Sequence, residues 1–164
     1  MRIDNLNRLY VHELKDLYNA EKQLAKALPQ MADTASNSEL KTAFKDHLKE
    51  TNHQIERLEK IFNGLDFSPG GEVCAAMQGI IEEGKDAMSD PEDDSVRDAA
   101  MIAAAQKAEH YEIAGYGTVR SYAEMLGRED DHRILSEILE EEKAADLKLN
   151  HIALEVVNPE AAAV

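Results

Sequence analysis

Aromatic residues and cysteine are both scarce in this chain of 164 residues. Phe and Tyr together supply 5%, there is no Trp, and Cys74 is the only cysteine. A lone cysteine excludes an intramolecular disulfide and fits a reducing compartment, so a cytoplasmic location is expected. With so few aromatics, the core must be filled by Leu, Ile, Met and Ala, as in helical bundles. Basic residues are also few, with 18 Lys and Arg against 33 Asp and Glu, a net charge of −15. That balance argues against binding to nucleic acid or to an anionic membrane, and it attracts cations. No apolar run reaches the roughly 18 residues of a membrane span. The opening Met-Arg-Ile-Asp-Asn lacks the apolar segment of a signal peptide. Pro69-Gly70-Gly71 has neither a Walker lysine nor a preceding strand, no nucleophile elbow occurs, and Cys74 has no motif around it.

The apolar pattern that remains is helical. Leu6, Leu9, Tyr10, Leu14, Leu17, Leu24, Leu28 and Met31 recur at helix spacing and predict a first helix over 4–33, with Pro29 kinking its last turn. Ser36-Asn37-Ser38-Glu39 reads as a capping box opening a second helix, which Asn63-Gly64 ends. A shorter amphipathic helix over 72–88 lies within the connection that follows. Ser95 with Asp98 is expected to cap a third long helix over 96–126, and a fourth runs over 131–157 until Asn158-Pro159 stops it. The domain therefore spans 1–159, as a helical hairpin over 4–63, a crossover over 64–95 and a second hairpin over 96–157. Residues 160–164 form a frayed tail. The expected fold is all-α: a ferritin-like four-helix bundle with a long crossover containing a short fifth helix.

Four glutamates disturb this pattern, one on each long helix. Glu21 lies among Leu14, Leu17, Leu24 and Leu28, and Glu142 among Ile138, Ala145 and Leu149, with no Lys or Arg on either stripe centre. Glu50 and Glu109 lie at stripe edges. The two hairpins also resemble each other: Asn19-Ala20-Glu21 matches Lys107-Ala108-Glu109, and the segment around Glu50 matches that around Glu142. A buried carboxylate without a partner costs several kcal/mol or becomes neutral. A cation shared between such groups removes that cost.

Di-metal carboxylate bundles take a Glu from two helices and Glu-x-x-His from the other two, because residues three apart share a helix face. Glu50-Thr51-Asn52-His53 has that form, and Glu109-His110-Tyr111-Glu112 offers Glu-x-x-Glu. Glu142 has Ala145 where a second His would stand, with Asp146 one residue further on. The candidate ligands are Glu21, Glu50, His53, Glu109, Glu112 and Glu142, with Asp146 as a possible addition. His53 falls away from its apolar stripe and is kept for its spacing from Glu50. His47 and His110 lie nearer the stripe centres, as core histidines or as partners orienting a carboxylate. Tyr18, Tyr111 and Tyr116 are expected to pack nearby, and Glu13 is the alternative ligand one layer away. Carboxylates with imidazole suit iron or manganese and leave zinc open.

Leu17-Tyr18-Asn19-Ala20-Glu21-Lys22-Gln23-Leu24, Glu50-Thr51 with Gln54-Ile55-Glu56-Arg57-Leu58, Ala103-Ala104-Ala105-Gln106-Lys107-Ala108-Glu109-His110-Tyr111-Glu112 and Leu139-Glu140-Glu141-Glu142-Lys143 resemble the bacterial YciF/YciE-like stress protein family. The resemblance covers nearly the whole chain. It implies a ferritin-like bundle, an association with general stress responses and a rubrerythrin-like di-metal site. Carried over, the rubrerythrin pattern falls on Glu21, on Glu50 with His53, on Glu109 with Glu112, and on Glu142. Ala145 departs from it, and no rubredoxin-like Cys-x-x-Cys module is present. The expected activity is oxidation of a bound ferrous pair by peroxide or oxygen, with Glu50 and Glu142 near the bridging position and Glu21 and Glu109 terminal. A homodimer is expected. A metal-free helical stress adaptor and an iron-storage or encapsulated ferritin-like protein are the alternatives.

Overall fold

A computed structural model describes residues 2–164; Met1, the first residue of the expected 1–159 domain, lies outside them. Four long helices make the bundle: α1 Leu6–Thr34, α2 Ser38–Asn63, α4 Asp94–Met125 and α5 Glu129–Ile152. A shorter helix, α3 Ala75–Ser89, lies in the connection between the two hairpins. Helices α1 and α2 pack as one pair and α4 and α5 as the other, with α1 also against α4 and α2 against α5. The crossover helix α3 rests on α1 and α4. The expected all-α architecture is therefore the observed one.

Most helix boundaries fall within two or three residues of expectation, but the caps differ. Asn37, not Ser36, caps α2, its side chain accepting from the N–H groups of Glu39 and Leu40. Asp93, not Ser95, caps α4 and accepts from the Ser95 and Val96 N–H groups. Asp98 is buried and turns to the other hairpin, accepting from Ser36 N at 2.9 Å and Asn37 N at 2.6 Å. It thereby ties the α1–α2 turn to α4, a long-range role that local spacing does not encode. Pro29 lies within α1, which continues as α-helix to Thr34.

The expected stop at Asn158-Pro159 does not occur. A π-helical turn spans Ala153–Val157, and a short helix, α6 Asn158–Ala161, follows. Asn158 N–H reaches back to Ala153 O, and Pro159 then stands in the first turn of α6. A missing N–H is harmless there, so the proline is accommodated rather than terminating.

The apolar core is in two parts. One holds Tyr10, Leu14 and Leu17 with Leu58, Ile61, Tyr116, Leu135 and Ile138. The other holds Leu24, Leu28 and Met31 with Leu40, Phe44, Met101, Ile102 and Leu149. Between them, along every long helix, lie the buried polar residues: Glu21 on α1, His47, Thr51 and Gln54 on α2, Glu109 and Glu112 on α4, and Glu142 on α5. The bundle is thus two apolar blocks separated by a polar layer.

Candidate metal centre

Each helix delivers its polar residue to the same level because the apolar stripe passes through that level unbroken. On α2 the inward line runs Leu40, Phe44, His47, Thr51, Ile55 and Leu58, all buried. His47 takes a position on that line where Leu would otherwise sit. Glu21 and Glu142 do the same on α1 and α5, both fully buried. On α4, Glu109 and Glu112 share one face three residues apart and are both buried.

Ligand atoms of His47, Glu109, Glu112 and Glu142 all lie within 4.8 Å of one another. His47 Nε2 stands 3.0 Å from Glu109 Oε1. Neither ring nitrogen of His47 completes a hydrogen bond in its present orientation. Both oxygens of Glu112 and of Glu142 are buried without a hydrogen-bond partner, as are Glu109 Oε2 and Glu21 Oε2. Glu21 Oε1 alone among these is satisfied within the layer, accepting from the Tyr116 hydroxyl at 2.5 Å. Buried polar atoms are nearly always paired in native proteins, so this concentration of orphans marks a place built for something else. Three carboxylates and an imidazole converging in a buried layer are the donor set of a hard or borderline metal ion. The residues present therefore fit a metal.

The electrostatics agree. Burial pushes the Glu21 carboxyl up to about 7, against the opposing pull of the Tyr116 hydrogen bond and of His47. Burial, and then the charges of Glu21 and the neighbouring glutamates, hold Glu112 and Glu142 well above the usual carboxylate range. Burial works against a charge on His47, yet Glu109 beside it outweighs that and raises the imidazole well above its usual range. Tyr116 is likewise raised well above its ordinary value, by burial and then by Glu21, and stays a hydrogen-bond donor. Without a cation the layer can hold little of its negative charge.

The structure separates the candidate ligands. Glu109, Glu112 and Glu142 come together; Glu21 is buried in the same layer, its charge acting on Glu112, but lies outside that group of converging ligand atoms. Glu50 stands at the outer edge, its side chain 48% exposed, with Oε2 3.6 Å from His47 Nδ1; that imidazole draws its carboxyl below the usual range. His53 is exposed and outside the group, so the Glu50-x-x-His53 pair does not converge here. Two residues beyond Thr51 on a helix lies roughly the opposite face. The imidazole in the layer is His47, three residues before Glu50 rather than three after. His110 is exposed and contacts Asp146 at 3.3 Å. Asp146 also accepts from Gln106 Nε2 at 3.1 Å, so it is engaged at the α4–α5 surface rather than in the core. Glu13 is half-buried and outside the group. Of the tyrosines only Tyr116 touches the layer; Tyr18 donates to Glu59, and Tyr111 contacts Cys74 Sγ at 3.0 Å and donates to Asp16.

Comparison with known proteins follows the same lines. The sequence profile of DUF892, described as a domain of unknown function, matches residues 5–162. Protein YciF of Escherichia coli K12 is 45% identical over 162 residues, covering 98% of both chains. The crystal structure of the E. coli stress protein YciF superposes with a TM-score of 0.91, covering 95% of this chain and 99% of that one. YcfI from Rhodopseudomonas palustris is 46% identical with a TM-score of 0.89, covering 93% and 97%. A Xanthomonas campestris protein at 22% identity shares the fold, with a TM-score of 0.73.

Proposed function

The chain belongs to the DUF892 family of YciF-like proteins, and on that footing we propose that its polar layer is a di-metal carboxylate centre serving stress protection. The observation that carries this reading is the set of buried, unpartnered carboxylate oxygens on Glu112 and Glu142 within reach of His47 and Glu109. In the proposal, His47, Glu109, Glu112 and Glu142 are the principal ligands. Glu21 completes the layer, and Glu50 supports it from the outer edge. Iron is the first choice of metal, manganese the second, and zinc also suits the donors. A redox-active pair held there supplies electrons and Lewis acidity toward peroxide or oxygen.

The protein's part is to hold and insulate. The two apolar blocks exclude water above and below the layer, which strengthens every charge interaction within it. Tyr116 keeps one oxygen of Glu21 occupied and its carboxylate oriented. His47 stands between Glu109 and Glu50, with a carboxylate on each side of its ring. No described helix is long and apolar enough to cross a membrane. A homodimer is proposed as the working assembly, and light scattering distinguishes it from a monomer or a ferritin-like cage.

The test is elemental analysis of protein purified under iron-replete conditions. About two metal ions per chain are expected, with most lost in a Glu21→Gln, Glu142→Gln double variant that still folds. A chain that purifies without metal and takes up none on anaerobic addition of ferrous iron would sink the proposal.

A further inference from the structure

A cavity of about 380 Å³ opens beside the polar layer. Its volume lies within the range of roughly 300–1,000 Å³ typical of small-molecule pockets. All five longer helices line it. Leu24, Leu28, Phe44, Ile80, Ile81 and Met88 form apolar walls. Its floor reaches His47 and Glu109, both buried. Its exposed lining includes Lys26 on α1, Lys85 on α3, Lys148 on α5 and Glu50 on α2, beside the half-buried Asp46. Lys85 pairs with Glu82 at 2.6 Å, Lys148 offsets Asp46 at 3.5 Å, His47 offsets Glu50, and Lys26 has no ion-pair partner among the described residues. In a chain of net charge −15, Lys26 is the one lining lysine left without a carboxylate partner among the described residues, and it stands at the mouth of an apolar interior.

Two features explain why the space is there. The crossover helix buries only Met77 and Gly84, so Ile80, Ile81 and Met88 line a gap instead of closing it. Ala144 and Ala145 line the α5 side. Ala145 is where a second Glu-x-x-His would place an imidazole, and the small side chain leaves that volume free.

We propose that this cavity binds a fatty-acid-like anion, with the alkyl chain against the apolar walls and the carboxylate at Lys26. The ligand lies over the His47–Glu109 end of the polar layer and brings an apolar molecule to it. The apolar lining accounts for the chain and Lys26 for the charge. A small hydrophilic molecule would leave most of the walls unsatisfied.

Calorimetric titration of metal-free protein with decanoate and with decanol tests this. One decanoate is expected to bind per chain, with decanol about tenfold weaker because it cannot form a charge-assisted bond. A Lys26→Glu variant is expected to lose about tenfold in decanoate affinity and little for decanol. Ala27→Phe, at a half-buried lining position, is expected to abolish binding of both; if it fails to fold, the exposed lysine change carries the test alone. Absence of saturable decanoate binding to folded protein overturns the proposal, as does equal affinity for acid and alcohol. Because the protein is metal-free, failure here leaves the metal stoichiometry of the polar layer untouched. Conversely, a layer that binds no metal leaves the decanoate titration standing.

Discussion

Glu21 shows how a single residue links burial, protonation and metal. Its carboxyl titrates near 4.5 when the chain is unfolded and at about 7 when folded. Between those values the unfolded chain binds fewer protons than the folded one, so stability falls as pH rises. The loss amounts to roughly 3 kcal/mol once pH passes 7. Urea denaturation of metal-free protein at pH 5 and pH 7.5 should show a smaller loss in Glu21→Gln than in wild type, the remainder coming from Glu112 and Glu142; identical pH dependence in the two would contradict it. Tyr116 is the second informative residue. Tyr116→Phe removes the hydroxyl that donates to Glu21, and metal affinity measured by chelator competition should fall roughly 10- to 100-fold while the fold is retained. Sequence periodicity had marked Glu21 and Glu142 as residues on an apolar stripe. The same periodicity placed His47 between Phe44 and Thr51, yet the expected Glu-x-x-His spacing pointed to His53, on the opposite face. The signal for His47 was present and a motif outweighed it.

At the level of elements, helix lengths and faces follow from local pattern, whereas the joints do not. The inward positions of α1, α2, α4 and α5 recur at helical spacing, so their existence and pairing were legible. The caps of α2 and α4 differ from those the sequence suggests because several Ser, Asn and Asp residues stand within one turn of each start, and each is a competent cap. Only packing decides among them. Asp98 is the case in point: beside its own helix start it reads as a capping residue, but the fold turns it onto Ser36 and Asn37 of the other hairpin. Asp98→Ala should leave two part-buried N–H groups without their acceptor and destabilise the protein by about 1–3 kcal/mol. Thermal denaturation monitored by circular dichroism checks this, and an unchanged midpoint would show that the α1–α2 turn does not depend on Asp98. The π-helical turn at Ala153–Val157 is a similar joint, since nothing in a linear pattern signals how the chain absorbs Pro159.

For the whole molecule, the division of the core into two blocks around a charged layer makes stability depend on what fills the layer. A metal that binds only the folded state adds about 2.7 kcal/mol at a hundredfold excess over its Kd. For a chain of this length that corresponds to an upward shift in Tm of roughly 5–10 °C. Differential scanning calorimetry with and without ferrous or manganous ion should show the shift in wild type and none in the Glu21→Gln, Glu142→Gln double variant. A complementary change, Glu142→Leu, should stabilise the metal-free protein by continuing the apolar stripe through the layer, and should lower metal content at the same time. A Glu142→Leu variant that is both less stable and fully metallated would contradict the account of the layer.

The sequence by itself determined the all-α class, the two hairpins, the crossover helix and the depth of Glu21 and Glu142, because each of these is written in the period of one helix at a time. Only the tertiary structure decided which residues from different helices meet. His47 with Glu109, Glu112 with Glu142, Tyr116 with Glu21 and Asp98 with the opposite hairpin are relations between helices. They depend on rotation and register across the bundle, which the spacing along one helix does not specify. The cavity belongs to the same category: Ala145 reads as an absence in the chain, and becomes a space only when α3 is laid against α1 and α4 without closing it.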